Sequence, residues 1–280
     1  MNIVGSKAGE QSALWNGAGG RAWVESQELL DHVLQPFEDL LVKVLSERTS
    51  RRVLDVGCGT GSTTLAIARQ LGERGRCTGI DISEPMLIAA RARAEQERTP
   101  ADFLLADAQT HAFERASFDA IVSRFGVMFF DDPVQAFANL RGAAEEGARL
   151  WFVAWRSAGE NAFMTTAERV AAPLLPNLPA RRADEPGQFA FADRERVRGI
   201  LEESGWSAVD IQPIEVPCSM PESELTGYVT RFGPVGRVLH EVDERVRAEF
   251  IEKVRAALEP YVHGPEVRFA AACWMVAARA

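Results

Sequence analysis

Hydrophobic and polar positions along the chain follow two spacings that alternate in a regular order. Between residues 51 and 155, short apolar runs of strand length are separated by segments whose apolar residues recur at helical spacing. Strands that alternate with helices in this way indicate a parallel sheet with helices on both faces. The predicted elements are strands at 52–56, 76–82, 102–105, 118–123 and 149–155, and helices at 62–71, 83–96 and 132–140.

The segments on either side of this alternation have other patterns. Apolar residues over 22–47 have helical spacing with one buried face, and Pro36 inside that run should kink or split the helix. After residue 155, a proline-rich stretch interrupts the sheet pattern. Beyond it we predict a helix at 193–203, a strand at 208–216, mostly helical structure at 219–264 and a last strand at 267–278.

The composition narrows the class of protein. With a net charge of −9 and no lysine- or arginine-rich block, the 280-residue chain is not expected to bind nucleic acid. No apolar run approaches the roughly 18 residues of a membrane span. Because residues 1–11 also lack the pattern of a signal peptide, we expect a cytoplasmic protein without a membrane partner. The cysteines are scattered without a CxxC pair, so neither a disulfide framework nor a metal site is expected.

The candidate chemistry begins at residues 51–62, RRVLDVGCGTGS, where a strand runs into three alternating glycines and then into a helix. Glycine allows the backbone to turn sharply and lets a ligand come close. The start of the next helix has free N–H groups that favour negative charge. A glycine loop alone is a weak indication of function, so its interpretation depends on the residues at the ends of the next strands.

Small and acidic residues stand at those strand ends. Asp81 ends the second strand about twenty residues past the glycines, where a carboxylate can accept hydrogen bonds from a ribose diol. Asp107 and Ala108 come after the third strand, and residues 123–128, SRFGVM, end the fourth. Together with Asp55 before the glycines, these positions resemble the class I S-adenosylmethionine-dependent methyltransferases.

Within that superfamily, the chain resembles the small-molecule branch related to the ubiquinone/menaquinone biosynthesis methyltransferases, with a methyltransferase type 11-like domain. The resemblance covers residues 50–155 strongly and extends more weakly to the N-terminal arm and to 190–216 and 267–278. It implies an α/β fold with a Rossmann-like, doubly wound sheet, mostly parallel with an antiparallel last strand, plus a helical cap from insertions.

This fold divides the chain into six segments that serve one site. We expect the two insertions and the N-terminal arm to close over the strand ends as a substrate chamber. The predicted segments are an N-terminal arm and helix covering the site (1–50), the S-adenosylmethionine-binding core (51–155), a cap insertion (156–192), a core helix and strand (193–216), a helical cap insertion (217–266) and the last core strand (267–280).

The resemblance implies S-adenosylmethionine as cofactor and S-adenosylhomocysteine as its product. The glycine loop would lie against the methionine part, Asp81 would bind the ribose, and Asp107 with Ala108 would bind the adenine. Cys58 is a common residue in this loop, so we interpret it as packing and not as a nucleophile. The predicted cofactor-binding residues are Asp55, Gly57, Cys58, Gly59, Gly61, Asp81, Ile82, Met86, Asp107, Ala108, Ser123 and Phe125.

The predicted reaction is direct in-line transfer of the methyl group to a small, hydrophobic or aromatic metabolite, catalysed by a monomer or homodimer. A sulfonium methyl group is already activated, so a base is needed only if the acceptor must lose a proton. No catalytic residue is assigned; His240 is the one candidate, although a histidine beside an apolar helical face is more often structural. The pattern does not distinguish transfer to oxygen, nitrogen or carbon. The candidate substrate contacts are Trp15, Trp23, Met128, Phe129, Tyr228 and Phe232.

Two alternatives remain open at this point. A nicotinamide-dependent oxidoreductase would also use a glycine loop and an acid at the second strand end. Against it, Ser62 takes the last position of its glycine motif, and Asp55 adds a charge at the end of the first strand. The other alternative is a domain that binds S-adenosylmethionine without chemistry, which the sequence cannot separate from a catalyst.

Overall fold

The computed structural model describes residues 7–46, 50–181 and 185–280. Within these ranges one sheet has the strand order β3-β2-β1-β4-β5-β8-β6, and the two-residue β7 pairs with β8. Strands β1 to β5 are parallel, whereas β8 is antiparallel to both β5 and β6. The predicted doubly wound, mostly parallel sheet with an antiparallel last strand is confirmed. The strands are β1 (Arg52–Val56), β2 (Arg76–Asp81), β3 (Asp102–Leu105), β4 (Phe118–Arg124), β5 (Ala144–Trp155), β6 (Ser207–Pro221), β7 (Val262–His263) and β8 (Glu266–Arg279).

Helices cover both faces of this sheet and extend beyond its strand ends. The side chains of Ser83 and Asp132 accept hydrogen bonds from the first turns of α5 and α6, as their sequence positions predict. None of the helices in the described ranges is long and apolar enough to cross a membrane. The helices are α1 (Lys7–Asn16), α2 (Ala18–Glu25), α3 (Gln27–Ser46), α4 (Ser62–Leu71), α5 (Glu84–Glu97), α6 (Pro133–Ala143), α7 (Ala162–Ala171), α8 (Arg194–Glu203), α9 (Leu225–Arg231), α10 (Gly233–Val238) and α11 (Glu244–Leu258).

The structure differs from the sequence expectation at several places. Strand β5 begins at Ala144, five residues earlier than predicted, and the helix predicted over 22–47 is divided at Ser26 between α2 and α3. Helix α3 continues through Pro36 as one element, and its buried face, which includes Phe37 and Leu41, packs into the core. Strand β6 continues to Pro221, five residues into the segment predicted as helical cap, because it pairs with β8 along almost its whole length. Residues 217–221 therefore belong to the sheet.

The strand order reverses at β1, which has β2 on one side and β4 on the other. Ligands of open α/β sheets bind beyond the carboxyl ends of the strands, in the crevice at such a reversal. In this chain the loops that follow β1 and β4 touch each other there through glycines. A Cβ atom added to Gly57 would lie 2.6 Å from the Cα of Gly126, and one added to Gly126 would lie 2.5 Å from the Val56 carbonyl oxygen.

We predict that Gly126→Ala destabilises the fold by about 1–3 kcal/mol, the usual cost of forcing an extra methyl group into a packed interior. Urea unfolding followed by circular dichroism would measure the change. The matched control is Gly199→Ala in α8, where an added Cβ meets nothing within 4 Å. Alanine favours a helix over glycine by up to about 1 kcal/mol, so the control should be as stable as the parent or more so. A Gly126→Ala protein of parental stability would contradict the steric argument.

Candidate active site

A cavity of about 950 Å³ opens at the carboxyl ends of β1 to β4. One wall is the edge of the sheet, and a second is formed by the N-terminal helices α1 to α3. The remaining wall comes from α7, residues 179–181 and 185–190, and the α9–α10 segment. Its size falls in the range of small-molecule sites, about 300–1,000 Å³.

The Asp81 carboxylate is held at the sheet edge by backbone donors. Its two oxygens accept hydrogen bonds from the Gly59 N–H at 2.8 Å and the Ser83 N–H at 2.9 Å. Burial raises the pKa of this carboxyl, and the backbone bonds oppose that rise. An ionised carboxylate offers about four lone-pair positions, so it has acceptor capacity left for a hydroxyl group of a ligand.

Asp55 brings a second carboxylate to the cavity. Its Oδ2 accepts a hydrogen bond from the Thr64 hydroxyl at 2.7 Å. Burial raises the pKa of Asp55 to about 6, although the Thr64 bond and the nearby Arg124 charge act in the opposite direction. A partly desolvated carboxylate of this kind favours a cationic group of a ligand, because the cation compensates the lost solvation.

The glycine loop leaves room and an unused polar group for a ligand. The Thr63 Oγ1 is buried, borders the cavity and has no hydrogen-bond partner in the described part of the chain. A Cβ added to Gly59 would meet only the Met86 sulfur, at 3.7 Å, so the loop backbone faces open space there. Leu105, with 45% of its surface exposed, offers an apolar face beside Asp107. These features fit the nucleoside cofactor that the sequence predicts.

Most of the predicted cofactor residues line this cavity. Gly61 and Ser123 do not, and each shapes a loop instead. Gly61 has a φ of +84°, and its missing side chain makes room for Ala90. The Ser123 hydroxyl donates to the Val56 carbonyl at 2.8 Å and accepts from the Gly126 N–H at 3.1 Å. The lining members are Asp55, Gly57, Cys58, Gly59, Asp81, Ile82, Met86, Asp107, Ala108 and Phe125.

Two lining residues have surroundings that bear on their role. Burial raises the pKa of the Cys58 thiol well above its ordinary value, which disfavours the nucleophilic thiolate. Its sulfur would lie 2.7 Å from a Cβ added to Gly79, so it fills space against β2. Phe125 has a φ of +66°, a strained value for a residue other than glycine. Its ring stacks on Trp155 with centroids 4.6 Å apart.

Six aromatic side chains form a continuous row along the cavity, which we call the aromatic row. Five of them are predicted substrate contacts, and Met128, the remaining predicted contact, also lines the cavity. Phe163 is an addition that the sequence did not reveal. The row runs from the loop after β4 to α7, with successive centroids 5.1 to 6.5 Å apart, in the order Phe129, Trp15, Trp23, Phe232, Tyr228 and Phe163.

The N-terminal arm is fastened beside Asp81. The Asn16 side chain donates to the Ile82 carbonyl oxygen and accepts from the Glu84 N–H, both at 2.9 Å. The Ser83 hydroxyl donates to the Trp15 carbonyl at 2.6 Å. These three bonds hold the end of α1 against the loop after β2, which places Trp15 and Asn16 in the cavity wall.

A buried ionic cluster, which we define as Asp31, Glu38, Arg93 and Arg124, connects α3 to the glycine loop. Arg93 pairs with Asp31 at 3.0 Å and donates to the Thr60 carbonyl at 3.2 Å. Glu38 accepts a hydrogen bond from the Ser62 hydroxyl. Burial lowers the pKa of Arg124, while the charges of Glu38 and Asp31 oppose that change. The sequence gives only a weak indication of this cluster, because Asp31 and Glu38 are seven residues apart, which is two helical turns.

The structure does not bring His240 to this site. It lies on an exposed turn after α10 and is not among the residues that line the cavity. Its weak candidacy as a base therefore has no geometric support. His111, the histidine near Asp107, packs its ring edge-on against Phe113.

Comparisons with known proteins match the same segment. Residues 53–147 match a family described as a methyltransferase domain. The chain is 34% identical over 118 residues to aklanonic acid methyltransferase DauC of Streptomyces sp. (strain C5), which is 42% of this chain and 54% of that protein. It is 22% identical over 210 residues to the ubiquinone/menaquinone biosynthesis C-methyltransferase UbiE of Ruegeria sp. (strain TM1040), which is 71% of this chain and 84% of that protein.

A solved structure shows the same fold over the whole chain. Phosphoethanolamine N-methyltransferase 2 of Haemonchus contortus, in complex with S-adenosyl-L-methionine, has a TM-score of 0.56 and 16% sequence identity, covering 99% of this chain and 60% of that one. Because the match to DauC spans about half of that protein, it does not carry the whole protein's activity to this chain. The predicted resemblance to S-adenosylmethionine-dependent methyltransferases is confirmed over the core.

We predict that Asn16→Ala loosens α1 without unfolding the core. The change removes two hydrogen bonds to residues 82–84 of about 1 kcal/mol each, so amide hydrogens of α1 and α2 should exchange about thirtyfold faster. Hydrogen exchange read by mass spectrometry would measure this, with Asn177→Ala, an exposed position outside the cavity lining, as the control. Equal exchange in the two variants would show that these bonds do not hold the arm.

Proposed function

We propose that this chain, whose residues 53–147 form a methyltransferase domain, transfers the methyl group of S-adenosylmethionine to a small hydrophobic or aromatic molecule. The observation that carries the proposal is a cavity whose lining is polar at the sheet edge and aromatic elsewhere. The glycine loop and the Asp81 carboxylate lie at the polar part, and the aromatic row forms the aromatic part. A polar nucleoside and an apolar acceptor could therefore meet inside it.

The cofactor would bind along the strand ends. Asp81 would accept from the ribose hydroxyls, Asp107 from the adenine amino group, and the Asp55 carboxylate would face the ammonium end. Ile82, Met86 and the exposed face of Leu105 would border the adenine ring, since these side chains line the cavity around Asp81 and Asp107. The bound cofactor supplies an activated methyl group and leaves as S-adenosylhomocysteine.

The protein's task in this reaction is alignment and exclusion of water. Held by Asp55, Asp81 and Asp107, the cofactor would supply a methyl group to the lone pair of the acceptor, and the electron pair of the broken carbon–sulfur bond would stay on sulfur. Holding the reacting atoms in line can contribute on the order of 7–11 kcal/mol. The aromatic row and the fastened α1 would keep water out, and the rigid Phe125–Trp155 stack would shape the reacting end. A neutral O–H or N–H acceptor would release one proton.

The acceptor is proposed to be a small molecule on two grounds. The cavity has the size of a small-molecule site and is lined by aromatic rings. The names of DauC and UbiE refer to aklanonic acid and to quinone biosynthesis, both small-molecule contexts. The N-terminal arm and the two cap segments would together form the acceptor chamber, in a monomer or a homodimer of the cytoplasm.

Calorimetric titration with S-adenosylmethionine, S-adenosylhomocysteine and NADH tests the proposal directly. We expect micromolar binding of the first two ligands and none of NADH. The second step is a methyl-transfer screen over hydrophobic and aromatic acceptors, with detection of S-adenosylhomocysteine. Binding of NADH alone would overturn the proposed function, and binding of S-adenosylmethionine without turnover on any acceptor would favour the non-catalytic alternative.

We predict that Asp81→Ala weakens binding of S-adenosylhomocysteine at least tenfold, which is about 1.4 kcal/mol. The lost hydrogen bonds are charge-assisted and contribute roughly 1.5–3 kcal/mol each. Isothermal titration measures the affinity. The control is Asp102→Ala, which removes an exposed carboxylate from neighbouring β3 and should leave the affinity unchanged. An unchanged affinity in the Asp81 variant would refute this assignment.

Asp55 should make cofactor affinity depend on pH. Because burial raises its pKa to about 6 in the free protein, it is mostly protonated at pH 5 and mostly ionised at pH 7. A bound ammonium group favours the ionised form and so lowers the pKa. Affinity for S-adenosylhomocysteine should therefore rise between pH 5 and 7, with proton release on binding. Calorimetry in buffers of different ionisation enthalpy measures that release, and Asp55→Asn should abolish it. A slope that persists in the variant would exclude Asp55 as its source.

A further inference from the structure

The start of helix α4, directly after the glycine loop, offers hydrogen-bond donors that the described part of the chain does not use. The first bond of this helix runs from the Leu65 N–H to the Gly61 carbonyl oxygen. The N–H groups of residues 62–64 therefore have no partner within the helix, and no side chain caps them. Together they give this end of α4 a partial positive charge.

Thr63 adds an unused hydroxyl group at the same place. It belongs to the first turn of α4 and lines the cavity, whereas its neighbours Ser62 and Thr64 do not. Thr63 is only 2% exposed, and its Oγ1 has no hydrogen-bond partner in the described ranges. Buried hydroxyl groups nearly always have a partner, so an unpaired one beside a cavity points to a ligand that completes it.

The two neighbouring hydroxyl groups show which chemistry suits this end of the helix, because both already donate to carboxylates. Ser62 donates to Glu38, and Thr64 donates to the Asp55 Oδ2 at 2.7 Å. Glu38 belongs to the buried ionic cluster, whose two acids and two arginines cancel in formal charge. Asp55 is therefore the carboxylate that a ligand meets beside the start of α4.

Features of opposite sign lie together here, which narrows the chemistry of the ligand. The unused donors are at Thr63, and the partner of Asp55 is the next residue, Thr64. Asp55 would repel an anion that carries no positive charge, such as phosphate. A cation that carries no negative charge would leave the Thr63 hydroxyl and the helix N–H groups unpaired. An α-amino acid group, which has an ammonium and a carboxylate on one carbon, satisfies both features.

We propose that the Thr63 hydroxyl and the start of α4 bind the α-carboxylate of the cofactor, and that Thr63 makes the site selective for this carboxylate. The Thr63 hydroxyl and the N–H groups of the first turn donate to the carboxylate, while Asp55 accepts from the ammonium group. A nucleoside that keeps the sulfur and the ammonium group but lacks the carboxylate is then a poor ligand. This inference rests on the proposed function, since it assigns a specificity-determining residue of the same cofactor site.

The test is calorimetric titration of the full chain with S-adenosylhomocysteine and with decarboxylated S-adenosylhomocysteine, which lacks only the α-carboxylate. The parent should prefer S-adenosylhomocysteine by about thirtyfold. In Thr63→Val, which removes the hydroxyl and keeps the side-chain size, this preference should fall about tenfold, the effect of one hydrogen bond to a charged group. The affinity for the decarboxylated analogue should stay at the parental value.

Two further variants serve as controls. Thr63→Ser keeps the hydroxyl and should keep the preference. Thr165→Val makes the same change in α7, where the hydroxyl bonds only to carbonyl groups at the start of its own helix and does not line the cavity. It should also keep the preference. Because the Thr63 hydroxyl has no partner to lose, the melting temperature of ligand-free Thr63→Val should equal or exceed that of the parent. Thr63→Ala removes the same hydroxyl if the valine protein does not fold.

The outcomes separate this inference from the proposed function. Failure of the parent to bind S-adenosylhomocysteine would overturn the proposed function and the carboxylate assignment with it. Equal binding of S-adenosylhomocysteine and its decarboxylated analogue by the parent would overturn the carboxylate assignment alone. A full preference that survives in folded Thr63→Val would exclude Thr63 as the donor. Loss of the preference in Thr63→Ser as well would assign the effect to packing of the methyl group and so contradict the role of the hydroxyl.

Discussion

The close approach of two backbone loops, at Gly57 and Gly126, is the constraint on which the site depends. There is no space for a side chain at either position, so the loops after β1 and β4 pass in contact where the strand order reverses. The Ser123 hydroxyl bonds to both loops and locks them together. The neighbouring Phe125 has a left-handed backbone conformation, and its ring stacks on Trp155. Backbone sterics therefore determine the shape of the cavity at the ends of β1 and β4, independently of any ligand.

Charged side chains around the cavity connect the elements that form its walls. The buried ionic cluster joins α3 to the glycine loop, and its acids and arginines offset one another's desolvation. On the cap side of the cavity, Glu168 and Arg181 pair in the same way. Paired charges at both ends of the cavity therefore hold elements of the fold together.

The order of the core strands and the positions of their acids could be predicted from the sequence because both depend on local pattern. Asp55, Asp81 and Asp107 each stand at or just after a strand end, and parallel strands bring such ends to one edge. Five members of the aromatic row were predicted as separate substrate contacts, whereas their arrangement as a row and the part of Phe163 in it were not predicted. The features that could not be predicted depend on partners far along the chain: the extension of β6 needs β8, and the ionic cluster needs Asp31 and Glu38 of α3 beside Arg93 and Arg124. The continuity of α3 through Pro36 likewise reflects packing on the core, which overrides local propensity.

The hydrogen bonds between α1 and the loop after β2 have a consequence for how long a ligand stays bound. Three of them cross between Trp15 or Asn16 and residues 82–84, directly after Asp81. A nucleoside held by Asp81 would lie beside these three hydrogen bonds. Its dissociation would then require these bonds to open. Residence time would then be governed by the opening rate of the arm, and two ligands of different affinity could dissociate at the same rate. A ring seated on Trp15 would slow that opening and prolong the stay of the nucleoside, which couples the lifetimes of two ligands that need not touch each other.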